Sequence, residues 1–184
     1  MRTKQFLLPL TLLFTFCLLP NPTRPSSQNP ANTLELKSPD FSPGATIPKQ
    51  FTCEGPDISP SFSWNAPPPS TQSFALIADD PDAPAGNWVH WVVYNLPPTL
   101  RSLPQNFPKN EQPNGDSHQG NNDFDKTGYN GPCPPPGKPH RYFFKLYALD
   151  TKLNLNPGAT KKDVERAMQG HILARGEYLG RYSH

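Results

Sequence analysis

The sequence predicts a mainly β domain built on one core, with a single helix near its end. Three observations carry that prediction: short apolar runs at close spacing, clusters of Pro, Gly and Asn between them, and one amphipathic stretch of helical period. The chain has 184 residues, 34% hydrophobic and 11% aromatic, which suits one compact domain better than two separate cores. Its 26 prolines exceed the average of about 5%, yet strand-like runs lie between them, so they shape loops rather than signal disorder.

Taken in order, the expected strands are Leu34 to Lys37, Ser61 to Trp64, Ser73 to Asp79, Val89 to Leu96 and His140 to Leu149. The Val89 to Leu96 run is apolar at nearly every position, which predicts burial on both faces. In "HRYFFKLYALD" strict alternation places His140, Tyr142, Phe144, Leu146 and Ala148 on one side. By the same rule His90 shares a face with Trp88 and Val92, while Val89 and Trp91 face the other way. Between Leu103 and Pro139 the chain is dominated by Asn, Gly, Pro, Gln and Asp. A loop of that length is expected to be functional or disordered, and proline stiffens its distal half, "GYNGPCPPPGKPH". The helix is expected from Lys161 to about Ala174. Thr160 with Asp163 three residues on resembles a capping box, and Val164, Met168 and Ile172 form a stripe suited to core packing.

The N-terminus reads differently. Arg2 and Lys4 precede the apolar run Phe6 to Leu19, the layout of a secretory signal peptide over residues 1–20, with the cleavage point undefined. A spanning helix needs about 20 apolar residues, and this run is shorter and contains Pro9. Residues 21–33 then read as a flexible tether, and residues 34–184 as the domain. The expected location is periplasmic or secreted; a lipoprotein anchored through Cys17 is a lesser alternative, because Phe16 is bulkier than such processing allows. Removal of the leader leaves Cys53 and Cys133 in an oxidising compartment, which predicts a disulfide between them; the alternative is two unpaired buried thiols. A net charge of +2 from 17 basic and 15 acidic residues, with no basic stripe, argues against nucleic acid as a partner. The sequence leaves a homodimer open.

The chemistry concentrates in two segments. In "DDPDAPAGNWVHW", residues 79–91, Asp79, Asp80 and Asp82 crowd one strand end, where Pro81 stops ladder pairing. Like charges this close require a raised pKa, a donor partner or exposure to water. His140 and Tyr142 open the second segment, and both histidines could line one hollow rimmed by the Gly131–Pro132 turn, whose glycine amide could serve an anion. Three readings compete. A metal site from His90, His140 and Asp80 is chemically possible, but no HxH or HExxH spacing supports it. A hydrolase needs a nucleophile, no G-x-S-x-G elbow is present, and Cys133 is a poor candidate if oxidised. The third reading is a small anion pocket of imidazoles, a phenol, an indole and a backbone amide, and it suits the inventory best. Asp80 would then be protonated, orient a histidine, or meet an ammonium on the ligand.

These segments also resemble a known family. "DDPDAP", "WVHWVVYNLP" and "GYNGPCPPPGKPHRYFFKLYALD" are similar to signature segments of the phosphatidylethanolamine-binding protein family, nearest to its bacterial, Raf kinase inhibitor-like branch. "FTCEGPDISPSFSW" and "GHILARGEYLGRY" extend the likeness from about Leu34 to the C-terminus. The resemblance implies a central antiparallel β-sheet, a smaller second sheet and a C-terminal helix near the pocket. It implies that Asp80, Asp82, Trp88, His90, Gly131, Pro132, His140 and Tyr142 line one anion-binding pocket. It further implies binding of phosphate-bearing or phospholipid headgroups, no cofactor and no general catalytic activity. The alternative function is a protein-interaction module that inhibits an extracytoplasmic enzyme such as a protease. The short "AGN" link, the "CPPPG" insertion and the leader depart from the animal pattern, which counts against eukaryote-like kinase inhibition.

Overall fold

A computed structural model describes residues 32–184. The leader, Cys17 and the tether as far as Ala31 lie outside the described residues. Thr33, at the end of the expected tether, forms a parallel bridge with Arg175, and the Leu34 N–H donates to the Arg175 carbonyl at 2.9 Å.

Two antiparallel sheets form the scaffold. The smaller joins β1 (Leu36–Lys37), β2 (Phe62–Trp64) and β5 (Ser102–Leu103) in that spatial order. The larger has five strands in the order β6 (His118–Gln119), β4 (Trp88–Leu96), β3 (Ser73–Asp80), β7 (His140–Leu149) and β8 (Ile172–Tyr182). The strand β3 is buried at every position and sits at the centre, which is where a strand covered on both faces has to go. Between the sheets lies an aromatic core that includes Phe62, Trp64, Phe74, Trp91, Phe144 and Tyr178. Phe62 and Phe144 meet with ring centroids 4.7 Å apart.

The helix α1 (Lys161–Met168) covers the other face of the large sheet, where Val164 and Met168 pack with Ala75, Ile77, Val89 and Val92. The Thr160–Asp163 capping box is present in both directions. Three expectations about α1 are corrected. It ends at Met168 rather than near Ala174, because Gly170 adopts φ +81° and turns the chain back, as a left-handed glycine after a helix does. Ile172, assigned above to the helical stripe, begins β8 and is 44% exposed. The helix also lies on the sheet face opposite Tyr142 and His140, not beside them, since Tyr142 belongs to the core between the sheets. Of the strands, β8 was the large omission. Its inward residues, Ala174, Tyr178 and Tyr182, are separated by Gly176 and Gly180, which break the apolar alternation. Each glycine is needed for close approach: a Cβ at Gly176 would lie 2.2 Å from the Leu34 carbonyl oxygen.

The segment Leu103 to Pro139 is a second correction, because it is neither structureless nor loosely held. It contains β6 and places Phe107, Tyr129 and Asn122 in the interior. Asn122 is its hub. Its side-chain amide donates to the Gly128 carbonyl at 2.8 Å and to Asn130 Oδ1 at 2.9 Å, while its Oδ1 accepts from the Phe124 and Lys126 amides. A buried amide with all its groups engaged fixes a loop as firmly as a ladder would.

Candidate functional site

The register of β4 against β3 explains how the site forms. Ala78 pairs with Trp91 and Asp79 with Val89, so one step along β3 corresponds to two along β4 and His90 is the extra residue of a β-bulge. A bulge re-aims the side chains around it. Val89 and Val92 both pack beneath α1, while Trp91 joins the core between the sheets. His90 therefore does not share a face with Val92, as strict alternation required; it remains with Trp88 in the wall of a cavity. The 120s loop completes the broken ladder. The Val89 N–H donates to Asp123 Oδ2 at 2.7 Å, Asp123 N–H returns to the Val89 carbonyl at 3.0 Å, and Asn130 N–H donates to the His90 carbonyl at 3.0 Å.

The cavity has a volume of about 250 Å³ and is lined by Asp80, Trp88, His90, His140 and Tyr142 from three strands, with Phe124 and the Cys133–Pro135 segment closing it. Five of the eight candidate residues thus converge. Asp82, Gly131 and Pro132 are not among the lining residues. Asp82 instead accepts from Arg141 three times, from its backbone N–H, Nε and Nη2 at 2.7 to 2.9 Å. Hydrogen bonds from the Arg141 side chain hold the Asp82 carboxyl down at about 2 against the opposing effect of desolvation. The Gly131 amide, a candidate anion donor, is given to Asp57 Oδ1 at 2.6 Å. A Cβ there would fall 2.0 Å from the Phe51 carbonyl oxygen, so glycine is required at this position for packing.

The three crowded acids resolve by finding separate donors. Asp79 turns to the helix face, buried, and accepts from Lys145, Lys161 and Asn87 at 2.6 to 3.1 Å. Desolvation raises its pKa, but the hydrogen bonds from Lys145 and Lys161 outweigh it and the net shift is downward. Asp80 turns to the cavity face. Its Oδ2 meets His140 Nδ1 at 2.8 Å and its Oδ1 accepts the Asp82 N–H at 2.8 Å. Of the three roles open to Asp80, orienting a histidine is the one the geometry displays.

The two imidazoles are each tied back through Nδ1, His140 to Asp80 and His90 to the Asn130 carbonyl at 2.7 Å. That leaves Nε2 as the remaining polar atom of each ring. Burial lowers the His90 pKa, against the opposing pull of the Asn130 carbonyl and the Asp80 charge, so the free ring is neutral around pH 7. The His90 ring stands edge-on to Tyr142 and to Phe124, with centroids 5.2 and 5.3 Å away. Tyr142 is 2% exposed, and its hydroxyl is buried with no hydrogen-bond partner among the described residues. Burial first, then the Asp80 charge and the approach of the hydroxyl to the Asp80 carboxylate, raise its pKa and keep it a protonated donor, although the two groups do not complete a hydrogen bond.

Among the described residues, His90, His140 and Asp80 do not bring three ligand atoms within 4.8 Å of one another; the trio that does is Cys53, Cys133 and His184. Cys53 and Cys133 form a disulfide, as the cysteine count predicts.

A family model described as phosphatidylethanolamine-binding protein matches residues 37–183. The chain belongs to that family. It is 49% identical over 149 residues to a UPF0098 protein of Methanothermobacter thermautotrophicus, covering 81% of this chain and 98% of that protein. To a UPF0098 protein of Aquifex aeolicus it is 51% identical over 151 residues, covering 81% and 88%. Among solved structures, the phosphatidylethanolamine-binding protein homologue CT736 of Chlamydia trachomatis superposes with a TM-score of 0.75 at 40% identity, covering 83% of this chain and 99% of that one. YbcL of E. coli, described as a member of the mammalian family, gives 0.76 at 33% identity, covering 82% and 98%. The family fold of two antiparallel sheets and one helix is therefore shared.

Sequence reasoning missed several residues that build the site. Phe124 sits in a polar loop where nothing in the local pattern aims it at the cavity. Asp57, at φ 56°, organises the rim by accepting from Gly131, Asn130 and Lys109. Its signal was the segment "GPDISP", where an Asp after Pro invites a side-chain-to-backbone turn. No helix among the described residues is long and apolar enough to cross a membrane.

Proposed function

We propose that this is an exported, non-enzymatic binding protein whose cavity holds a small anion, of the kind presented by phosphate-bearing headgroups. The observation that carries the reading is the Tyr142 hydroxyl, buried and unpartnered in a cavity wall beside two imidazoles whose Nδ1 atoms are already engaged. Leaving a buried hydroxyl unpaired costs on the order of 1–3 kcal/mol, a cost that an anionic oxygen accepting from it would remove. The apolar remainder of the wall, Phe124, Trp88, Pro134 and Pro135, suits whatever group the anion carries. Holding rather than attacking is supported by the lining, which among the described residues includes no Ser, Thr or Lys, and whose cysteine is oxidised. The apolar run behind Arg2 and Lys4 supports export.

Protonation follows from the same geometry. An anion entering beside a neutral, buried imidazole raises that ring's pKa, so binding takes up a proton at His90. Affinity for inorganic sulfate, whose charge is constant over this range, is therefore expected to strengthen as pH falls. Calorimetry in buffers of different ionisation enthalpy reads the uptake directly.

The deciding experiment follows the histidine ring NMR signals while inorganic phosphate or phosphoethanolamine is added. Both His90 and His140 are expected to shift at millimolar ligand; rings that stay put in both titrations would overturn the reading. Tyr142→Phe supplies the sharper prediction, because its two effects have opposite signs. Anion affinity should weaken by about tenfold or more, since a bond to a charged acceptor is lost, while unfolding free energy stays level or rises by up to ~1 kcal/mol as the orphaned hydroxyl disappears. A clear loss of stability in urea melts would mean that the hydroxyl has a structural partner instead.

A further inference from the structure

The Cys53–Cys133 bridge does more than close a loop, because a histidine stands over it. Cys53, Cys133 and His184 are all exposed, and their Sγ atoms and a ring nitrogen lie within 4.8 Å of one another. The arrangement is held from both sides. β8 ends at Tyr182, whose hydroxyl donates to Glu54 Oε2, beside Cys53. His184 Nδ1 then reaches Glu54 Oε1 at 3.5 Å, and its ring lies edge-on to Tyr182 with centroids 6.1 Å apart. Cys133 is set by the Cys53 N–H donating to the Pro132 carbonyl at 3.1 Å. Two sulfurs, an imidazole and a carboxylate thus meet at one surface point.

We propose that these residues form a redox-gated metal site: once the disulfide is reduced, Cys53, Cys133 and His184 bind Zn2+, with Glu54 or water in the fourth position. A disulfide sulfur is a poor ligand, so the oxidised chain has no such site; the thiolate is what binds. Two thiolates and one imidazole are a ligand set that Zn2+ takes tetrahedrally, with Zn–S of about 2.3 Å and Zn–N of about 2.0–2.1 Å. The Cα atoms of the two cysteines are 5.4 Å apart, close enough for both thiolates to reach one ion by side-chain rotation. The chemistry balances in two steps. A dithiol reductant delivers two electrons and two protons to the sulfur–sulfur bond, which opens to two thiols as the reductant closes to its own cyclic disulfide. Zn2+ then displaces both thiol protons to solvent as two Zn–S bonds form, with no change of oxidation state. The bound ion holds the thiols away from reoxidation, so metal and oxidant compete for one pair of cysteines. Although Cys133 also belongs to the cavity wall, nothing in the site depends on what the cavity binds.

The test compares the oxidised protein with protein reduced by a dithiol and desalted without air. Zn2+ is titrated in competition with a chromophoric chelator, and Co2+ serves as a spectroscopic substitute. The reduced wild type is expected to take up one Zn2+ more than the oxidised form, and its Co2+ complex should display thiolate-to-metal charge transfer. Cys53→Ser with Cys133→Ser should lose that equivalent entirely. His184→Ala, which gives up only the contacts of an exposed terminal ring with Tyr182 and Glu54, should keep the charge-transfer band but weaken Zn2+ by at least about tenfold, as even outer partners of a ligand do. Equal uptake by the reduced wild type and the double-serine variant would overturn the proposal, as would His184→Ala binding at wild-type strength. Should reduction unfold the chain, added Zn2+ is expected to restore its near-ultraviolet circular dichroism; a chain that stays unfolded with Zn2+ present also overturns it.

Discussion

Cys53→Ser combined with Cys133→Ser is expected to lower the unfolding free energy by about 4 to 5 kcal/mol. The bridge closes a loop with a sequence separation of 80, and in the chain-entropy account such a loop removes about that much freedom from the unfolded state. A domain of this kind commonly holds only about 5–15 kcal/mol in total, so the variant sits near the edge of folding at body temperature. The loss acts mainly through the unfolded chain, and the folded cavity should survive wherever the variant is folded. Urea unfolding of oxidised, reduced and double-serine protein measures this. A difference below about 1 kcal/mol would mean that the loop is already closed by other contacts in the unfolded ensemble. Tyr129, whose hydroxyl donates to the Phe51 carbonyl at 2.7 Å and so ties nearly the same stretch of chain, is the contact to examine in that event.

Asp79→Ala should rank second, at about 3 kcal/mol. The carboxylate is 1% exposed and accepts from two lysines and an asparagine, and removing one partner of a buried ion pair typically costs ~3–5 kcal/mol because the other charge is left behind. The lower end applies here, since the Lys145 and Lys161 side chains are 27% and 16% exposed and can turn partly to water. Because Lys161 opens α1, the variant should also loosen the helix, visible as faster amide exchange at Val164 and Met168. The pH dependence carries a definite sign. A carboxylate whose folded pKa lies below its ordinary value of 3.8 stabilises the fold fully above that value and loses the contribution as pH falls through the lower, folded value. Wild-type stability is thus expected to drop below about pH 4, and Asp79→Ala should show a shallower drop. An acid limb unchanged by the substitution would count against this account.

Asp79 and Asp80 also illustrate what can be read from a sequence and what cannot. Adjacent residues on a strand face opposite ways, so their divergence was legible, but which one met the lysines and which met His140 was not. That depended on partners 66 and 60 residues away. Local grammar was legible too: the limits of β7, the capping box at Thr160 and Asp163, and the pairing of the two remaining cysteines once the leader is discounted. Phe124 could not be found this way, because it sits in a loop whose shape is set by Asn122 contacts rather than by any repeat in the sequence; for Asp57 the turn was legible in "GPDISP" but its partners, 73 and 74 residues away, were not.

By itself the sequence determined the β character, the runs of β3, β4 and β7 and the start of the helix, because propensity, alternation and capping act over a few neighbours; the five residues of the cavity wall were legible from their chemistry together with the family resemblance. The tertiary structure alone decided the existence of β8, the bulge at His90 and the commitment of the Gly131 amide to Asp57; the end of the helix at Met168 follows from a local signal, Gly170, that the apolar stripe obscured. The physical reason is register. One additional residue in β4 reverses the facing of the side chains beyond it, until a second register shift between Val93 and Leu96 reverses it again, and such residues are inserted only because strands far apart in the chain pair as they do.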